Sequence, residues 1–105
     1  MNRERAERVA ADWAPLAELF GALGDSHRQR MLLLFDPGEE LPVGTVASAV
    51  DLSATAAAHH INVLRKAGIF RERREGRTTF LSIDREKLAE ALEVTLAYIR
   101  DPAGW

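Results

Sequence analysis

The chain has 105 residues, a formal net charge of −2 and no cysteine. That is one domain's length with enough apolar residues for a core, and it excludes disulfides, thiolate metal sites and thiol redox sensing. The charged start, Met1 to Ala11, lacks the apolar region of a signal peptide, and no apolar run approaches the ~20 residues of a bilayer span, so the expectation is one cytoplasmic domain over 1–105 with no membrane contact.

Residues 3–12 are polar-rich and read as a helix, an N-terminal extension (1–14) of the element that follows. Pro15 suits a first helical turn, so the pattern predicts a break near Asp12–Ala14 and a helix from Pro15 to Ala22, with Leu16, Leu19, Phe20 and Leu23 at helical spacing. Gly24-Asp25-Ser26 reads as stop and restart: Gly24 ends one helix, and Asp25 or Ser26 caps the next. That next helix carries Met31, Leu32, Leu34 and Phe35 and ends at the turn signal Asp36-Pro37-Gly38.

Between Leu41 and Val50, the residues Val43, Val46, Ala47 and Val50 repeat with helical spacing. Ser53 is placed to cap a following helix over Ala54–Ala67, which Gly68 stops. Two short helices joined by about four residues match a helix-turn-helix. In the second, Ala57, His60, Ile61 and Leu64 form a core stripe, while Thr55, Ala58, His59, Asn62 and Arg65 lie roughly opposite.

Beyond Gly68 the period becomes two. Ile69–Arg74, a Glu75-Gly76 turn and Arg77–Ile83 predict a β-hairpin. Asp84 caps a last helix, Arg85 to about Arg100, with Leu88, Ala91, Leu92, Thr95, Leu96 and Ile99 as its apolar stripe and Pro102 as its stop. The order is α-α-α-α-β-β-α: mainly α, with a β-hairpin.

Charge distribution matters more than its sum. From Arg65 to Arg85 seven cations face three anions, a net of +4, which leaves −6 elsewhere. A basic hairpin beside a helix-turn-helix is suited to double-stranded DNA, since the major groove accepts one helix and arginines bind phosphate. On charge alone, a solvated hairpin fits equally well.

The run Leu52 to Ile69 resembles the recognition helix of the ArsR family of winged helix-turn-helix repressors. Leu19 to Arg28 is similar to that family's first helix and following turn, and Arg74-Glu75-Gly76-Arg77-Thr78-Thr79-Phe80 to its wing. The resemblance implies a homodimer built through the terminal helices and a repressor that leaves its operator when an inducer binds. On that reading Ser53, Thr55, His59 and Asn62 read bases, Ala54 and Ala58 belong to the same DNA-binding surface, and Arg65, Arg73, Arg74 and Arg77 hold phosphates.

Ala56 and Ala58 stand where the family usually carries hydroxyl or larger residues, which favours contact with thymine methyls over hydrogen bonds. Glu40 to Thr45 lacks the family's cysteine-containing metal motif. Its last-helix metal pattern would fall on Asp84, Glu86, Ala97 and Arg100, a set that cannot hold zinc. The expectation is therefore no metal, no cofactor and an unidentified small-molecule inducer.

Adjacent His59 and His60 point about 100° apart on a helix and do not chelate together. His60 reads as a hydrogen-bonded structural residue, His27 as a surface residue, and His59 as a DNA contact or a plainly exposed side chain. Trp13, Phe20, Tyr98 and Trp105 are expected to pack a dimer interface or to line an inducer pocket. No phosphate loop or nucleophile–base pair indicates an enzyme. A winged helix used as a protein-interaction module is the competing function, allowed by the alanine-rich face and acidic net charge.

Overall fold

Proline and aspartate divide the first third of the chain. In the computed structural model, which describes residues 1–101 and only the backbone at 9–12, helix α1 spans Arg3–Asp12 and α2 spans Ala14–Leu23. Only Trp13 separates them, and Pro15 occupies the first turn of α2, where its missing N–H costs nothing. Helix α3, Ser26–Leu33, is capped by Asp25, whose carboxylate accepts from the N–H groups of His27 (2.8 Å) and Arg28 (3.1 Å).

The chain re-enters at β1, Leu41–Pro42, and runs without a linker into α4, Val43–Ala49. Helix α5, Ala54–Lys66, then leads to β2, Phe70–Glu75, β3, Thr78–Ile83, and α6, Arg85–Arg100. The three strands are antiparallel in the order β1-β3-β2. The short β1 was not predicted: two residues carry no readable period, and their strand character comes from pairing with Leu81 and Phe80 of β3. Pro42 fits an edge strand, which needs fewer ladder donors.

Two glycines set the geometry of the hairpin. Gly68, at φ +76°, ends α5: its N–H reaches the carbonyl of Arg65 and the N–H of Ile69 reaches that of Leu64, both at 3.0 Å. These are the two bonds of a Schellman cap, and fully buried Leu64 and Ile69 are its apolar pair. Gly76, at φ +60°, is the first central residue of the hairpin turn. The pairing of Glu75 with Thr78 makes that turn Gly76-Arg77, one residue later than predicted, and Arg77 does not share the positive φ of Gly76, so it is type II′. Arg77 consequently stands at the tip.

One core joins all layers, with Leu19 of α2, Met31 of α3, Val46 of α4, Leu64 of α5, Ile69 and Leu81 of β3 fully buried. The predicted stripe of α6 is only partly covered: Ala91 is buried, but Leu92, Leu96 and Ile99 remain 51%, 45% and 66% exposed. No helix among the described residues is long and apolar enough to cross a membrane. Pro102 and Trp105, expected as a helix stop and an interface aromatic, lie outside the described residues.

Candidate nucleic-acid interface

Helices α4 and α5 are the two arms of the helix-turn-helix, joined by Val50–Ser53. Ser53 Oγ accepts from the N–H of Ala56 at 3.1 Å, so this predicted site residue also caps α5. The inner side of α5 is closed by buried Ala57, Ile61 and Leu64. Ala54, Thr55, Ala58 and His59 are exposed on the outer side, with Asn62 half-buried beside them.

The hairpin runs alongside. An open groove of about 510 Å³ lies between α5 and the wing, lined by Ala58, Asn62 and Arg65 on the helix and by Glu72, Arg77 and Thr79 on the ribbon. Helix face and ribbon therefore share one side of the molecule. Side chains alternate across a strand, and the register pairs Glu72 with Leu81 and Arg74 with Thr79, which places Glu72, Arg74 and Thr79 on the face toward α5.

The predicted cations stand in different states. Arg65 donates to Glu72 Oε1 and to Asn62 Oδ1, both at 2.7 Å. Arg74 and Arg77 are exposed at the wing's end and form no ion pair with a described residue. Arg73 lies on the other face of the ribbon. Its Nε donates to both carboxylate oxygens of Glu40 (2.9 and 3.1 Å), its Nη1 to Glu75 (2.9 Å), and its guanidinium sits 4.7 Å from the centre of the Phe80 ring. These carboxylates hold the Arg73 pKa above the ordinary arginine value. The structure thus groups Arg65, Arg74 and Arg77 with the outer side of α5 and sets Arg73 apart from them.

Sequence reasoning missed the residue that seats α5. Arg28 donates through Nε to the carbonyl of Ala22 (2.6 Å) and through Nη2 to that of Gly21 (3.2 Å), satisfying the last turn of α2. Its Nη1 lies 3.0 Å from His60 Nδ1 on α5. An arginine has no acceptor, so the ring nitrogen must accept, and His60 is neutral in this contact. Burial holds its pKa below the usual 6.5, against the opposing pull of Asp25, whose carboxylate lies 3.9 Å away.

His60 is accordingly the hydrogen-bonded structural residue that its stripe implied. His27 departs from expectation: it is half-buried, its ring 5.5 Å from that of His60, and its Nδ1 is buried with no hydrogen-bond partner among the described residues. The helix of His27 packs toward α5, a placement its own sequence position does not reveal. Among the described residues no group of three or more His, Cys, Asp or Glu side chains is placed to hold a metal ion. Trp13 packs edge-on against Tyr98 at 5.2 Å within the chain, so this aromatic pair links the α1–α2 junction to α6.

Comparison with known proteins gives a consistent picture. Residues 23–73, from the end of α2 into the wing, match the model of a helix-turn-helix domain family. An uncharacterized HTH-type transcriptional regulator of Methanocaldococcus jannaschii is 31% identical over 78 residues, covering 74% of this chain and 88% of that protein. A homolog of the cadmium resistance transcriptional regulatory protein CadC from Staphylococcus aureus is 28% identical over 103 residues, 98% of this chain and 85% of that one. Among solved structures, the crystal structure of an ArsR family transcriptional regulator superposes with a TM-score of 0.72 at 27% identity, covering 86% of this chain and 91% of the other.

Proposed function

From a chain that belongs to the ArsR family of helix-turn-helix transcriptional regulators, we propose a homodimeric repressor that binds double-stranded operator DNA and releases it on a signal other than a thiolate-bound metal. The observation that carries the reading is the shared groove: the small-residue outer side of α5 and the unpaired Arg74 and Arg77 of the wing present themselves to one side. Alanines and a threonine on α5 suit close approach to base edges, and the type II′ turn sets Arg77 at the tip, a position suited to flanking phosphates.

Ser53, Ala54, Thr55, Ala58, His59 and Asn62 form the base-facing surface, and Arg65, Arg74 and Arg77 supply phosphate contacts. Asn62 and Arg65 are prepaired, so each exchanges an internal hydrogen bond for one to DNA. Dimerisation is supported by the apolar residues Leu92, Leu96 and Ile99 of α6, a face that one copy leaves bare. A two-fold dimer would present its reading helices to half-sites about one DNA turn apart, ~34–36 Å.

The test is a gel shift of the full chain on the duplex upstream of its own gene, with random competitor DNA at moderate salt. Retained binding with a palindromic footprint supports the reading. Loss of all binding into competitor overturns it and leaves a protein-interaction module as the better account of the fold.

A further inference from the structure

We propose that Arg73 is a positioning residue that fastens the wing to the helix-turn-helix, and not a phosphate contact; the inference rests on the DNA-binding reading above. The argument begins with the strand register. Arg73 pairs with Phe80, and Phe80 pairs on its other side with Pro42, so one row of residues crosses all three strands. Alternation puts Arg73 and Phe80 on the face opposite Glu72, Arg74 and Thr79, while Pro42, at the end of the row, borders the groove.

Along that row the Arg73 side chain lies across the Phe80 ring and ends on Glu40, 33 residues earlier in the chain. Glu40 directly precedes β1, and β1 passes without an intervening residue into α4, the first arm of the helix-turn-helix. The contact therefore spans from the outer strand of the ribbon to the root of α4. Backbone pairing alone ties the ribbon to β1 at only Leu41 and Pro42. Without the side-chain strap, the hairpin beyond Glu72, which Arg65 ties to α5, is held by its own two strands.

The same geometry argues against a phosphate role. Glu40 and Glu75 together overcompensate the one cation, and their carboxylates occupy the Nε and Nη1 donors that a phosphate would otherwise take. A planar guanidinium that lies over a ring while Nε donates to Glu40 and Nη1 to Glu75 is an arrangement that lysine cannot reproduce.

The experiment measures operator affinity against salt concentration for the full chain and for Arg73→Ala, Glu40→Gln, the double variant and Arg77→Ala. All are measured well below their melting temperatures. Two duplexes are used, one extending under the wing and one ending short of it.

The strap predicts that Arg73→Ala and Glu40→Gln each weaken binding to the long duplex by roughly five- to tenfold, that the double variant is no worse than either single one, and that none changes the salt slope. On the short duplex these variants bind like wild type, which a general loss of stability would not allow. Two results overturn the proposal. One is a salt slope lowered by about one unit in Arg73→Ala, as expected for Arg77→Ala. The other is tighter binding by Glu40→Gln, as expected if removing the carboxylate frees the arginine for phosphate. If Arg77→Ala itself leaves the slope unchanged, the wing does not touch DNA and the strap has nothing to position, while the DNA-binding reading stands or falls on the gel shift.

Discussion

The outer sides of α5 and α6 are both left bare by this chain, and they are bare in opposite ways. Helix α5 shows Ala54, Thr55, Ala58 and His59, small or polar, beside a ribbon ending in arginines. Helix α6 shows Leu92, Leu96 and Ile99, which water covers poorly. The two helices are amphipathic by the same spacing rule, so periodicity alone does not separate them. What separates them is the chemistry of the uncovered stripe: short side chains with flanking cations fit a grooved polyanion, while branched apolar ones fit another apolar surface.

Four changes probe this contrast. Leu64→Ala, on the hidden side of α5, removes a side chain that is fully buried, and its expected cost is about 2–5 kcal/mol of folding stability, read from denaturant unfolding. It marks the ceiling against which the outer sides are compared. Leu96→Glu, on the bare side of α6, should leave each chain folded but split the dimer in sedimentation. Operator affinity should then fall by roughly 10²-fold or more, because two linked half-site contacts become independent. A variant that still sediments as a dimer and binds normally would move the interface elsewhere.

Arg77→Ala should weaken binding to operator and random duplex alike, by up to about tenfold, and reduce the salt slope by about one unit. His59→Ala serves as its counterpart on α5 and should change which sequences are selected from a random pool; equal losses on all sequences would assign His59 to the backbone.

The smallest expected effect concerns the seat of α5. Burial lowers the His60 pKa, so folding favours the neutral ring. The unfolded chain then takes up a proton more readily, and stability linked to this residue is whole above about pH 6.5 and declines as pH falls below that value. Thermal midpoints measured between about pH 7 and 5 should therefore drop more steeply for the wild type than for His60→Gln. Parallel curves would show that the Arg28–His60 contact does not depend on charge.

How much of this was legible in the sequence follows from how local each feature is. Ser53 as a cap, the Ala57–Ile61–Leu64 stripe and Gly68 as a stop depend on residues within two turns of one another, and α5 was read correctly from them. The hairpin was legible from its change of period, but its turn fell one residue later because register is set by pairing across strands. The strand at Leu41–Pro42, the contact between Arg28 and His60, and the face taken by Arg73 each join residues far apart in the chain. In composition Arg73 and Arg74 are equivalent neighbours; alternation in the folded ribbon is what sends one toward the groove and the other toward Glu40. Glu72, counted only as a subtraction from the basic stretch, and Glu40, counted only in the acidic remainder, engage Arg65 and Arg73 within the chain.

The N–H of Asp84 meets the carbonyl of Ile69 at 2.8 Å, directly after the cap that ends α5 and directly before α6 begins. The end of α5, the base of the ribbon and the start of α6 thus meet at a single point. A rotation of the terminal helix would therefore bear directly on the end of α5. A ligand that alters the angle between two copies would change the distance separating their heads without having to reshape either one.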